Sequence, residues 1–129
     1  MENLVEELKP DQEFAVGNDV VFLSNFQQSF NPLFQKKVYT AQEIEYCERF
    51  DESLLRYAST WAAKEAVYKA VKQIHPQAIS FKKIEILRSK IGGKPSAMLP
   101  KFYKDLKISL SISHDGDYVW AVAIVKILK

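Results

Sequence analysis

Trp61-Ala62-Ala63-Lys64-Glu65-Ala66-Val67-Tyr68-Lys69-Ala70-Val71-Lys72 divides cleanly when laid on a helix at about 100° per residue. Ala62, Ala63, Ala66, Val67, Ala70, Val71 and, just beyond, Ile74 form one broad apolar face. Trp61, Lys64, Glu65, Tyr68, Lys69 and Lys72 form the other. The spacing predicts an amphipathic helix, and the alanines predict a close approach to whatever packs on it. The polar face carries one carboxylate among three lysines and two aromatics. Read alone, it is a solvated face with a Glu65–Lys69 pair at i,i+4, contributing about 0.2–0.5 kcal/mol.

Working outward, Asp51 reads as the N-cap of this helix, with Glu52 in its first turn and an end near Ile74, ahead of Pro76. Thr40-Ala41-Gln42-Glu43 reads as a capping box opening a shorter helix to about Phe50. Ser24 to Gln35 is polar and aromatic, with Asn31-Pro32 as a turn and no assignable element. Phe14 to Leu23 alternates as a strand. Ala15, Gly17, Asp19, Val21 and Leu23 share one face of it; Phe14, Val16, Asn18, Val20 and Phe22 share the other. Gly17 leaves room beside Asp19 for a ligand or for backbone. Asn18, between valines, is expected to need a buried partner for its amide.

Downstream the chain turns β-rich. Phe81 to Leu87 is a predicted strand, Gly92-Gly93 a turn, and Lys94-Pro95 the start or edge of the next strand. Leu106 to Ser113 alternates four aliphatics with one lysine and three serines. His114-Asp115-Gly116-Asp117 is the expected turn, and Tyr118 to Leu128 pairs back as a hairpin. The order predicts an α+β fold in which an antiparallel sheet packs against the long helix.

The chain has 129 residues, 47% of them hydrophobic and 26% charged, which fits one globular domain. Residues 1–12 read as a flexible lead-in and 13–129 as the domain. A net charge of +2 gives no case for nucleic acid or an anionic membrane. Cys47 is the only cysteine, so no internal disulfide can form, and it reads as a small hydrophobe rather than a nucleophile. The acidic start has no long apolar stretch, and the longest apolar run, Tyr118 to Val125, is too short to span a bilayer. A cytoplasmic protein is expected.

Two features could carry chemistry. Asp19 and Glu65 are distant in sequence, yet strand and helix can bring them together, and two hard carboxylates near lysines suit Mg²⁺ shared with phosphate oxygens. A hydrogen-bonded Asp at a strand end explains Asp19 equally well. His114 with Asp115 and Asp117 suggests a transition-metal site, but no second histidine or cysteine stands at ligand spacing, and an Asp-Gly turn accounts for the aspartate and glycine.

Val16-Gly17-Asn18-Asp19, the Trp61 to Lys69 segment, Gly93-Lys94-Pro95, and Ser111-Ile112-Ser113-His114 with Tyr118 occur in that order and spacing. Together they resemble the holo-acyl-carrier-protein synthase family of 4′-phosphopantetheinyl transferases, from about Phe14 to Leu128. The resemblance implies that family's fold and transfer of 4′-phosphopantetheine from coenzyme A to a serine of an apo acyl carrier protein or related carrier domain, leaving 3′,5′-ADP. This is a step of fatty-acid and other lipid biosynthesis. It implies that Asp19 and Glu65 hold Mg²⁺, and that Lys69 and Lys64 lie near the phosphates. It further implies that Lys94, Pro95, Ser113 and His114 bind coenzyme A, and that Glu65 and Lys69 are catalytic. Glu65 and a metal-bound water are both candidates to accept the serine proton. Chains of this length resemble half of the longer two-lobed transferases, which implies a homotrimer with its site between subunits. The rival reading is a non-catalytic relative that binds coenzyme A or a carrier.

The chain also departs from the family. Asn18 stands where an aliphatic is usual, and Thr60 where an arginine is common. No glycine occurs from Val71 to Gln77, and no lysine or arginine from Val20 to Gln35. The first basic candidates to meet an acidic carrier are therefore Lys36 and Lys37, with Arg49.

Overall fold

The computed structural model describes residues 13–88 and 93–128. The expected lead-in at residues 1–12 and Gly92 of the expected turn lie outside the described residues. The elements run β1 (Phe14–Phe22), α1 (Leu23–Ser29), α2 (Pro32–Val38), α3 (Ala41–Glu48), α4 (Ser53–Lys72), β2 (Glu85–Arg88), β3 (Pro95–Met98), β4 (Leu106–Asp115) and β5 (Tyr118–Ile127). Short 3₁₀ turns at Phe81–Lys83 and Lys101–Tyr103 precede β2 and β4.

The fold is α+β. β1, β5 and β4 make an antiparallel sheet in that order, and β2 and β3 make a separate hairpin. β1 pairs Gly17 with Ala123 and Asp19 with Ala121; β4 pairs Ile112 with Ala121. One face of the sheet thus presents Ala15, Gly17, Val21, Val119, Ala121, Ala123 and Val125, all buried. α4 lies across this face with Ala62, Ala63, Ala66 and Ala70 fully buried.

The closest approach is at Gly17. A Cβ there would strike the carbonyl oxygen of Ala66 and lie 2.7 Å from the amide nitrogen of Ala70. Of the two occupants foreseen for the space beside Asp19, helix backbone is the one found. Lys69 and Gln73 close the same contact from outside. Lys69 Nζ donates to Asn18 O at 3.1 Å and Gln73 Nε2 to Val16 O at 2.7 Å. These carbonyls are on an edge strand, where unpaired backbone groups otherwise invite another strand.

Several sequence expectations are corrected. Ser24 to Gln35 falls mostly in α1 and α2, and Asn31 caps α2 by accepting from Phe34 N at 2.8 Å, with Pro32 at the first helical position. α4 starts at Ser53 after an N-cap at Glu52, not at Asp51. Phe81–Lys83 is a 3₁₀ turn rather than strand, and β4 continues through His114 and Asp115, leaving Gly116-Asp117 as the turn. Asn18 needs no buried partner, because its face of β1 is exposed.

α4 is also less two-faced than its sequence. Lys64, assigned to the polar face, is 0% exposed. Its Nζ meets Glu43 Oε1 at 2.8 Å, Phe81 O at 2.8 Å and Ile84 O at 2.7 Å. Glu43 also completes the capping box on Thr40 N and accepts from Ile86 N at 2.7 Å. One buried ion pair thus ties α3, α4 and β2 together, with its polar atoms satisfied.

Replacing Gly17 by alanine should lower stability by about 3 kcal/mol, because helix backbone cannot yield as a side chain can. Denaturant unfolding checks this; an unchanged midpoint would mean that the strand–helix contact is slack.

Candidate active site

Asp19 lies two residues beyond Gly17 on the same face of β1, and Glu65 directly precedes Ala66 on α4. The glycine contact therefore sets the two carboxylates near each other. Lys69, one turn beyond Glu65, forms an ion pair with Asp19 at 3.0 Å; the lysine side chain is 50% exposed and the aspartate 14%. The Glu65–Lys69 pair read from the sequence is thus replaced by Asp19–Lys69. Lys69 commits two of its three N–H groups, to Asp19 and Asn18 O, which leaves one for a ligand.

Glu65 is half-buried. Burial pushes its carboxyl above the usual carboxylate range, the Asp19 charge pushes the same way, and Lys69 opposes both. Two carboxylates sharing one lysine leave a net negative spot that suits a hard divalent cation. Among the described residues no group of three or more histidine, cysteine, aspartate or glutamate side chains is gathered for a metal. Two carboxylate ligands fit Mg²⁺, which keeps waters and substrate phosphates for its other positions.

Beside the pair opens a cleft of about 360 Å³ walled by Phe22, Phe26, Phe34 and Trp61, with Asn25 and Ser29 as polar points. Sequence reasoning missed this wall, since two of its aromatics, Phe26 and Phe34, come from α1 and α2, the stretch left without an element. It missed Gln73 as well, although the i,i+4 step from Lys69 was visible.

The other expected site residues lie elsewhere. Lys64 spends all three N–H groups inside the protein, so its expected place near the phosphates is corrected. Lys94 is exposed and Pro95 half-buried at the start of β3. Ser113 and His114 face Trp120 and Val119 across the β4–β5 ladder, so their side chains leave opposite faces of the sheet. Among the described residues no hydrogen bond or ion pair joins these four to Asp19, Glu65 or Lys69. Cys47 is buried, and burial lifts its thiol to about 11, so it holds no thiolate at neutral pH.

Sequence comparison decides the family: the pattern of the 4′-phosphopantetheinyl transferase superfamily matches residues 15–123. The chain belongs to this superfamily. A holo-[acyl-carrier-protein] synthase of Wolbachia pipientis subsp. Culex pipiens (strain wPip) is 37% identical over 120 residues, covering 87% of this chain and 96% of that one. One from Chlamydia caviae is 36% identical over 123 residues, covering 90% and 99%. Among solved structures, the Chronobacterium ammoniagenes ACPS–CoA complex superposes with a TM-score of 0.77 at 27% identity, covering 92% of this chain and 100% of that one. The Helicobacter pylori holo-[acyl-carrier-protein] synthase in complex with coenzyme A gives 0.69 at 27%, covering 86% and 99%. The chain is an enzyme of the phosphopantetheinyl transferase class. No described helix of this transferase is long and apolar enough to cross a membrane.

The raised Glu65 carboxyl has a sign that can be tested. A carboxyl whose folded value exceeds its unfolded value contributes stability that is fully present below the unfolded value and lost as pH rises through the folded one. The metal-free transferase should therefore lose stability as pH climbs from the ordinary glutamate value to the raised one of Glu65. Glu65→Gln should flatten that slope. Thermal melts across this window check it, and identical slopes in the two proteins would contradict it.

Proposed function

We propose that this transferase moves 4′-phosphopantetheine from coenzyme A to a serine of an apo acyl carrier protein, with Mg²⁺ held by Asp19 and Glu65. The observation carrying this reading is the convergence of those carboxylates with Lys69 at the mouth of an apolar cleft, in a chain of this family. The serine oxygen attacks the phosphorus bearing the pantetheine arm, the P–O bond to the adenosine-side phosphate breaks, and 3′,5′-ADP leaves. Such a transfer needs positioning and charge neutralisation more than a covalent intermediate.

The chain's own residues divide the work. Asp19 and Glu65 supply the hard oxygens for the cation, whose contribution when bound is to neutralise charge on the pyrophosphate oxygens. Lys69 gives its remaining N–H to a phosphate oxygen. The Glu65 carboxylate, at the mouth of the cleft, accepts the serine proton. The cleft lined by Phe34 and Trp61 houses the pantetheine arm and keeps water from it. A non-catalytic binder is disfavoured, since it has no use for two repelling carboxylates.

The proposed carrier contact uses Lys36 and Lys37 at the end of α2. Lys82 sits beside them, its Nζ 3.3 Å from Lys36 O, and Leu33 in front of them is 74% exposed. Positive charge around an apolar knob suits an acidic carrier. Arg49 is a weaker candidate, because Glu45 pairs with it at 2.8 Å.

A homotrimer is proposed on the sheet's outer face. Phe14, Val16 and Trp120 are 54%, 53% and 53% exposed there, with Val20 and Ile124 beside them, an apolar surface of the kind that marks an interface. In such an assembly Lys94, Pro95, Ser113 and His114 of one subunit complete the coenzyme site of the next. Light scattering should give three times the chain mass, and Trp120→Glu should dissociate the trimer with loss of transfer; an active wild-type monomer would exclude it.

The functional reading is tested on two variants. Asp19→Asn and Glu65→Gln should each lower transfer on the order of a thousandfold while shifting the melting temperature little. Near-normal transfer by both would remove the metal assignment.

A further inference from the structure

On the far side of α4 from Glu65, two arginines lie together. Arg56, in the first turns of α4, stacks its guanidinium 4.2 Å from the centroid of Phe50. Arg88, the last residue of β2, stacks 4.7 Å from the centroid of Tyr46. The two rings are 5.1 Å apart, so the guanidiniums occupy one aromatic platform. Thr60 packs beside them, its Oγ1 donating to the backbone carbonyl of Arg56 at 2.9 Å and accepting from Arg88 Nη1 at 3.5 Å.

This pair lacks balancing charge among the described residues. The ion pairs found there are Arg49–Glu45, Lys64–Glu43 and Lys69–Asp19, none of which includes Arg56 or Arg88. Glu43, an acid whose charge reaches Arg88, is already engaged by Lys64. Arg56 Nε is buried with no hydrogen-bond partner, an arrangement that usually calls for a missing ligand or water. Burial holds Arg88 below the usual arginine value, and the neighbouring Arg56 charge adds to that. Two half-buried like charges with an unmet donor are costly as they stand.

We propose that Arg56 and Arg88 form a binding site for a phosphomonoester dianion. Two planar guanidiniums can each present paired N–H groups to phosphate oxygens, and two positive charges match a dianion. The site adjoins the β2–β3 hairpin: Arg88 stands across from Pro95, next to Lys94. If the coenzyme binds along that hairpin, an assignment resting on the function proposed above, its 3′-phosphate is the phosphomonoester within reach. Arg56 and Glu65 are nine residues apart on α4, about 180° around the helix.

The test uses the full chain and two readouts. First, inorganic phosphate is titrated at constant ionic strength while the unfolding temperature is followed. Wild type should be stabilised more by phosphate than by chloride. Arg56→Lys, which keeps the charge but loses the planar fork, and Arg88→Met should each raise the half-saturating phosphate concentration by about tenfold, the loss expected for a charge-assisted contact. No phosphate-specific stabilisation of wild type, or an unchanged midpoint in both variants, would overturn the site. The first of these outcomes is readable even if a variant does not fold. Second, kcat/KM is compared for coenzyme A and dephospho-coenzyme A. If wild type prefers coenzyme A and the variants lose that preference, the bound group is the 3′-phosphate. If the phosphate midpoint shifts while the preference stays, the site stands and its phosphate comes from elsewhere. Because the phosphate titration needs no transfer, its failure and failure of the proposed function are told apart.

Discussion

The contact between Gly17 and the backbone of Ala66 and Ala70 is the constraint from which the rest of the site follows. A strand can reach a helix this closely only where it carries no Cβ and where the helix offers alanines. The small row continues across the sheet through Ala123, the partner of Gly17, and Ala121, the partner of Asp19. With the backbones this close, Asp19 and Glu65 reach one region of space without long side chains. Lys69 and Gln73 then fasten the edge of β1 from the same helix. Site geometry and core packing are here one structure, so the carboxylates stand on rigid elements rather than on loops.

Asp19, Glu65 and Lys69 were legible in the sequence because period 2 and period 3.6 each put them on definable faces. Lys64 was not. Periodicity reports which residues share a face, not how many faces are covered, and α4 is wrapped by the sheet on one side and by α3 and β2 on another. Only tertiary structure supplies the Glu43 carboxylate and the two carbonyls that make a buried lysine tolerable. Glu43 was itself read correctly as half of a capping box, which hid its second role.

The short helices between β1 and α3 show a different limit. α1 begins with no side-chain cap, so no residue announces it. α2 does carry a signal, Asn31 followed by Pro32, but the same dipeptide opens turns as readily as helices. The cost of missing these helices was functional, because Phe26 and Phe34 wall the cleft beside the carboxylates. Asn18 went wrong for a related reason. A face of valines and aromatics reads as interior, yet it is the bare side of the sheet. Such a face fits a surface that becomes interior only in an assembly, which is the proposed trimer.

Mass spectrometry of apo carrier proteins, incubated with this chain, coenzyme A and Mg²⁺, tests the account most directly. The predicted result is a mass gain of one phosphopantetheinyl group on the carrier serine, dependent on the metal, with 3′,5′-ADP released in equal amount. Folded chain that binds coenzyme A yet leaves every apo carrier unmodified would contradict it.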